Sequence, residues 1–291
     1  MLDPLYYAVS APLWLWHQLF AAVLGPSSGP AWALSVVFLV LTVRALMIRL
    51  FLAQVRSGRA MAAIAPQLAE LRRRHRDDPA RLLARTRALQ AEHGVSTGRA
   101  LLPALLQAPV FLGVLHVLNG FNRPGLSFAE NAAIANYAFG PAEVRSFLEA
   151  RLFGSPLSAY LAMPQELLDS FGAPVARLDV VLVAVPLLLL SALATHLTAR
   201  ATLRRQPPVG PTAAVARALP WVFPLGVVVG GVLLPFPVAI GVYWLTTNAW
   251  TLVQQHLAHR ALDRTPPPAP HRAPVAAPRP GAKPVRRRPG R

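Results

Sequence analysis

Residues 30–52 read PAWALSVVFLVLTVRALMIRLFL. The run is long and apolar enough to cross a bilayer, which takes roughly 20 apolar residues. It nevertheless carries Arg44 inside the span and Arg49 five positions later. At about 1.5 Å per residue, Arg44 lies roughly 20 Å from Pro30 and under about 10 Å from Arg49. The guanidinium therefore falls in the inner half of the membrane if the helix runs from outside to inside. A charge at that depth costs at least about 2.5–3.5 kcal/mol on insertion scales. Two arrangements lower that cost. The side chain snorkels to the headgroups, or it faces a water-accessible cavity inside a helix bundle.

Composition favours a polytopic membrane protein. Only 14% of the 291 residues are charged and 54% are hydrophobic, with a mean hydropathy of +0.41; soluble domains carry about 25% charged residues. A net charge of +17 would suit nucleic acid. The basic residues, however, sit in loops and the tail between apolar spans, where they set topology. The chain has no cysteine, which excludes disulfides, thiol catalysis, iron–sulfur ligation and a lipid-modified N-terminal Cys.

Around the first span the chain reads in order. Residues 1–29 are apolar and aromatic, with Pro4, Pro12 and His17, and no Lys or Arg precedes the apolar run. That argues against a cleaved signal peptide. Tyr6, Tyr7, Trp14 and Trp16 suit the headgroup layer. The expectation is a helix lying in the outer interface, with a sixth span as the alternative. Residues 53–99 hold ten arginines while Met61, Ile64, Leu68, Leu71, Leu82, Leu83 and Leu89 keep helical spacing. Asp77, Asp78 and Pro79 supply a break with an N-cap and a first-turn Pro. The reading is a basic helical hairpin outside the membrane, facing anionic headgroups or, as the competitor, nucleic acid.

Four further spans follow: 100–120, 179–199, 218–234 and 238–258. The mixed segment 121–178 reads as short surface helices rather than a separate domain. A Pro-rich loop occupies 200–217, and 259–291 is a Pro-rich basic tail, disordered by composition. The hairpin holds ten basic residues, the loop four and the tail nine, against four in 121–178. The positive-inside rule then gives five spans, N-out and C-in.

Within the spans, Asp179 at an outer edge is the only acidic residue. Arg44 thus has no carboxylate at its depth, and water and neutral polar groups must serve it. Trp244, Asn248, Thr251 and Gln255 fall on one face of the last span. Ser191, Thr195, Thr198 and Thr202 repeat the pattern in the third, and Gln107 stands in the second. A hydrated groove open toward the cytoplasm and plain helix–helix hydrogen bonding both fit. The missing carboxylate tips the balance toward the groove, because an unpaired cation invites an acidic visitor. There is no HExxH, GxSxG, P-loop or metal-spaced cluster, so neither an enzyme nor a cofactor or metal site is expected.

Several motifs point further: LTVRALMIRLFLAQVRSGRAM around Arg44, LQAEHGV closing the hairpin, LLPALLQAPVFLGVLHVL, and FPVAIGVYWLTTNAWTLVQQHL. With five spans in order, the chain resembles the YidC-type membrane protein insertases of the YidC/Oxa/Alb family over about residues 1–260. The compact form of high-G+C Gram-positive bacteria is nearest, since the large extracytoplasmic domain and first span of Gram-negative members have no counterpart here. The resemblance implies an all-α, five-helix core in the cytoplasmic membrane, with a hydrophilic groove open to cytoplasm and lipid but closed outside. Arg44 would be the groove's positive charge, with Gln107 and Trp244 at groove positions. The third span lacks the glutamine expected there and offers Thr195 and His196 instead. A hairpin carrying Arg72, Arg73 and Arg74 would receive nascent membrane proteins. The family works alone or beside the Sec translocon, and a basic tail in some members contacts the ribosome. The rivals are a non-inserting assembly chaperone and a small-solute transporter, the latter disfavoured by the lack of internal repeats.

Overall fold

The computed structural model describes residues 2–95, 97–171, 173–205 and 213–263. Residues 206–212 of the 200–217 loop and 264–291 of the basic tail lie outside them. The described chain is almost wholly helical: an all-α membrane protein with one two-residue hairpin (β1, Arg151–Leu152, and β2, Ser155–Pro156).

The long helices account for the apolar runs. They are α1 (Asp3–Leu24), α2 (Gly29–Leu46), α3 (Ile48–Arg74), α4 (Pro79–Glu92), α5 (Thr97–Asn119), α9 (Arg177–Arg205), α10 (Ala213–Leu233) and α11 (Val238–Asp263). By length and composition α2, α9 and α10 can each cross a membrane, and Leu105–Asn119 of α5 is a shorter apolar helix. The stretch 30–52 is not one helix. It stops at Leu46, Met47 caps it at φ −85° and ψ 0°, and α3 restarts at Ile48. Ile48 to Leu52 therefore begin the hairpin, and Arg44 sits in the last turn of α2. In the hairpin, Asp78 caps α4 by accepting from the Arg81 N–H at 2.9 Å, with Pro79 at the first helical position. That position suits proline because its missing N–H would have had no partner.

Helix α1 buries a stripe of Val9, Leu13 and His17, at four-residue spacing, against α2 and α5. Its Trp16 donates to Thr42 Oγ1 at 3.0 Å, while Trp14 and Gln18 reach Glu143 in the 121–176 segment. Helix α9 packs on α10 and α11, α11 on α2, and α3 on α5.

Residues 121–176 form a cap over one end of the bundle, built from α6 (Phe128–Ala133), α7 (Pro141–Glu149), the β hairpin and α8 (Gln165–Asp169). The cap's buried residues belong to one core continuous with the helices beneath it. Trp32 of α2 is fully buried among Phe121, Phe139 and Phe147, with ring centroids 5.0–5.5 Å away, and stacks on His17 at 3.7 Å. Its indole N–H donates to Ser146 Oγ at 3.0 Å. The cap also satisfies the first turn of α11, because Ala159 and Leu157 carbonyls accept from the Val238 and Ala239 N–H groups at 2.8 and 3.0 Å. Those donors have no partner inside their own helix. Arg151 and, from the first turn of α9, Arg177 donate to cap carbonyls (Ala173 and Pro174; Leu161 and Met163), and Arg123 donates to the Ala135 carbonyl, so three arginines act as staples. One end of the bundle is thus closed by aromatic packing.

Candidate functional site

On the hairpin side of the cap, α2, α5 and α11 enclose a polar pocket in an otherwise apolar bundle. Leu39, Val40 and Val43 from α2 and Val110 and Val114 from α5 form its walls, and Arg44, Gln107, Tyr243 and Thr247 supply its polar groups. The cavity is about 10 Å³, room for about one water molecule. Gln107 donates through Nε2 to the Tyr243 hydroxyl at 2.7 Å. Its Oε1 is buried with no hydrogen-bond partner, and so is Thr247 Oγ1. Buried polar atoms are normally satisfied by protein or by ordered water. Two unpartnered oxygens, a phenol and a guanidinium around one small space offer the polar neighbours that a buried water needs.

Arg44 is half-buried, and among the described residues no carboxylate lies within ion-pair distance of it. It shares the cavity lining with Tyr243. A positive charge in the last turn of α2 also faces the negative end of the helix dipole, worth about 0.3–1 kcal/mol.

Of the residues singled out from sequence, Arg44 and Gln107 come together here and the others do not. Trp244 is turned toward Phe111 and Phe236, with centroids 6.1 and 5.2 Å away. Asn248 is half-buried but does not line the cavity. Thr195 donates to the Ser191 carbonyl of its own helix at 2.8 Å, away from the cavity. Next to it, His196 Nδ1 lies 2.7 Å from the Pro220 carbonyl, tying α9 to α10. Arg72, Arg73 and Arg74 are exposed at the far end of α3, on the order of 35 Å along the helix from its start; Arg74 pairs with Glu70.

The residues missed were Tyr243 and Thr247. The spacing that picked out Trp244, Asn248, Thr251 and Gln255 recurs one position earlier as Tyr243, Thr247, Trp250 and Gln254. That earlier row is the inward one. Tyr243 and Gln254 are buried, and Trp250 donates to Gln254 Oε1 at 2.8 Å.

A profile of the family described as "60Kd inner membrane protein" matches residues 23–265, a stretch that holds α2, the hairpin, the cap and α11. The chain belongs to that family. Among similar proteins, the membrane protein insertase YidC of Mycobacterium tuberculosis is 42% identical over 98% of this chain and 81% of its own length. The protein of the same name from Mycobacterium leprae is 41% identical over 97% and 77%. That of Corynebacterium efficiens is 35% identical over 92% and 70%. Membership makes this a multi-pass protein of the cell membrane, and its apolar helices agree.

Proposed function

We propose that the chain is a membrane protein insertase, with α2, α5, α9, α10 and α11 as five spans, N-out and C-in. The basic hairpin and tail then face the cytoplasm and the cap faces outside. Names of relatives at 41–42% identity support the activity, and the placement of basic residues supports the orientation. The polar cavity is the inner end of a hydrated groove. The groove makes insertion easier by lowering a barrier, rather than driving it by nucleotide hydrolysis. A hydrophilic tail of the client crosses a shortened apolar barrier, Arg44 attracts acidic residues in that tail, and the apolar segment leaves sideways into lipid. Clients are nascent membrane proteins, received at the hairpin that carries Arg72, Arg73 and Arg74. The protein acts alone or beside the Sec translocon, with the basic tail as a ribosome contact; for these two partners the support is the family resemblance and the tail's charge.

The observation that carries the reading is a guanidinium without a carboxylate, grouped with Gln107, Tyr243 and Thr247 around a cavity in an apolar bundle. Insertion by purified protein in liposomes tests it. Arg44→Ala should impair clients with acidic translocated tails more than clients with neutral ones, and Arg44→Lys should keep most activity. Equal losses on both client classes would remove the electrostatic part.

A further inference from the structure

A second cavity lies at the cap end of α1 and α5. It measures about 710 Å³, and its lining includes Asp3, Tyr7, His116, Asn119, Arg123 and Tyr137. That volume falls in the range of small-molecule sites, roughly 300–1,000 Å³. Three features set it apart from a surface dimple. First, Arg123 donates through one terminal nitrogen to the Ala135 carbonyl at 3.0 Å, while its other terminal nitrogen is buried with no partner. Among the described residues no carboxylate pairs with it. Second, Tyr137 sits at φ +54°, an uncommon conformation for an aromatic residue. It is held there by Tyr6 and Tyr7 rings 5.1 and 5.6 Å away and by a 2.7 Å contact between its hydroxyl and His116 Nε2. Strain of this kind persists where surroundings over-determine it, often at binding sites. Third, His116 continues an exposed apolar face of α5, since Leu105 and Leu112 precede it on the same side and are 65% and 58% exposed.

An apolar rail that ends in a donor-rich pocket is the shape of an amphiphile site. We propose that this pocket binds the phosphate of a phospholipid in the cap-side leaflet, with Arg123, His116 and Tyr137 on the headgroup and an acyl chain along Leu112 and Leu105. Arg123 supplies the charge-assisted donor that a phosphate oxygen prefers. Asp3 and the carbonyl end of α5 at Asn119 stand on the same pocket and disfavour a second negative charge. The ligand is therefore a singly charged phosphodiester rather than a dianionic monoester.

The test uses the full chain in nanodiscs of matched acyl chains, with retained lipid read by native mass spectrometry. Phosphatidylglycerol should be retained about tenfold more than diacylglycerol, which has the chains but no phosphate. Phosphatidic acid should be retained less than phosphatidylglycerol, and millimolar inorganic phosphate should not displace either. Arg123→Gln should abolish the preference over diacylglycerol. His116→Phe keeps a ring for Tyr6 to stack on, at 3.9 Å in the native chain, and should weaken retention with an unchanged unfolding curve. Equal retention of phosphatidylglycerol and diacylglycerol would reduce the site to ordinary lipid contact and overturn the proposal. Displacement by inorganic phosphate would make it a free-phosphate site. Wild-type retention in His116→Phe would equally overturn it, even if Arg123→Gln fails to fold.

Discussion

Replacing Gln107 with Leu and Tyr243 with Phe, singly and together, separates what the cavity's polarity does for folding from what it does for insertion. Tyr243→Phe removes the oxygen that accepts from Gln107 Nε2 at 2.7 Å. Because Gln107 Oε1 already lacks a partner, the amide would then be wholly unsatisfied. Leaving one buried polar group unpaired costs about 1–3 kcal/mol in water-soluble proteins. Interhelical hydrogen bonds in membranes average only about 0.6 kcal/mol, with a maximum near 1.7, so the lower part of the range applies: about 1 kcal/mol. Gln107→Leu should lose less, because it also removes the unpaired Oε1. The double variant replaces both partners with apolar groups of similar shape, which is close to neutral. Unfolding of the four proteins in mixed micelles should therefore be non-additive, with the double variant more stable than Tyr243→Phe alone. Insertion should go the other way. The double variant leaves Arg44 and Thr247 as the only polar lining of the cavity, and its activity toward acidic-tailed clients should fall furthest of the four. A double variant that is stable and inserts like wild type would refute the idea that polarity around Arg44 has a role beyond packing.

Two further tests concern the cap. A Cβ on Gly29 would run into the backbone carbonyl of Arg151, where neither chain can move aside cheaply. Gly29→Ala should lower stability by at least about 1–3 kcal/mol, read as a drop in thermal midpoint in detergent, while Ser28→Ala changes little. The Glu130 carboxyl accepts from the Ser127 backbone N–H and hydroxyl and is held below the usual carboxylate range by those bonds, the backbone one first. A group whose folded pKa is depressed stabilises the fold above its unfolded value of about 4.3. Amide protection in Phe128–Ala133 should thus be full at neutral pH and lost as pH falls below about 4. Glu130→Gln should flatten that dependence.

What could be read from the chain divides along local and non-local lines. Asp77-Asp78-Pro79 announces its own break, because an N-cap and a first-turn proline act within one turn. Gln107 is a single amide in an apolar run, so its polarity marks it without any neighbour. The end of α2 at Met47 gave no such sign, since the flanking Leu46 carries no cap or breaker signal. The face of α11 that lines the cavity begins one position before the polar row read from the sequence. That row is Trp244, Asn248, Thr251 and Gln255, and it does not single out Tyr243 and Thr247. The helix's rotation is set by the cap carbonyls that hold Val238 and Ala239, residues distant in sequence. The packing of the cap on the bundle was equally hidden. Phe121, Phe139 and Phe147 pack on one another and on Trp32, which lies in a distant part of the chain.

The break at Met47 bears on how a charge survives at this depth. A mid-bilayer arginine costs at least about 2.5–3.5 kcal/mol. Placing it in the last turn of α2, where the helix dipole is negative, returns about 0.3–1 kcal/mol. The remainder, about 2 kcal/mol, is of the size that a single hydrogen bond to a charged group supplies, about 1.5–3 kcal/mol. Gln107 Oε1 and Thr247 Oγ1 line the same cavity without protein partners, so a water held by them would supply it. An arginine tied to a carboxylate would need no such help, but it would also have nothing left to offer a client. Neutral acceptors and a water-sized cavity keep the cation affordable and unclaimed. On the proposed reading, the aromatic packing around Trp32 closes the far end, so the polar route would open to clients from one side only.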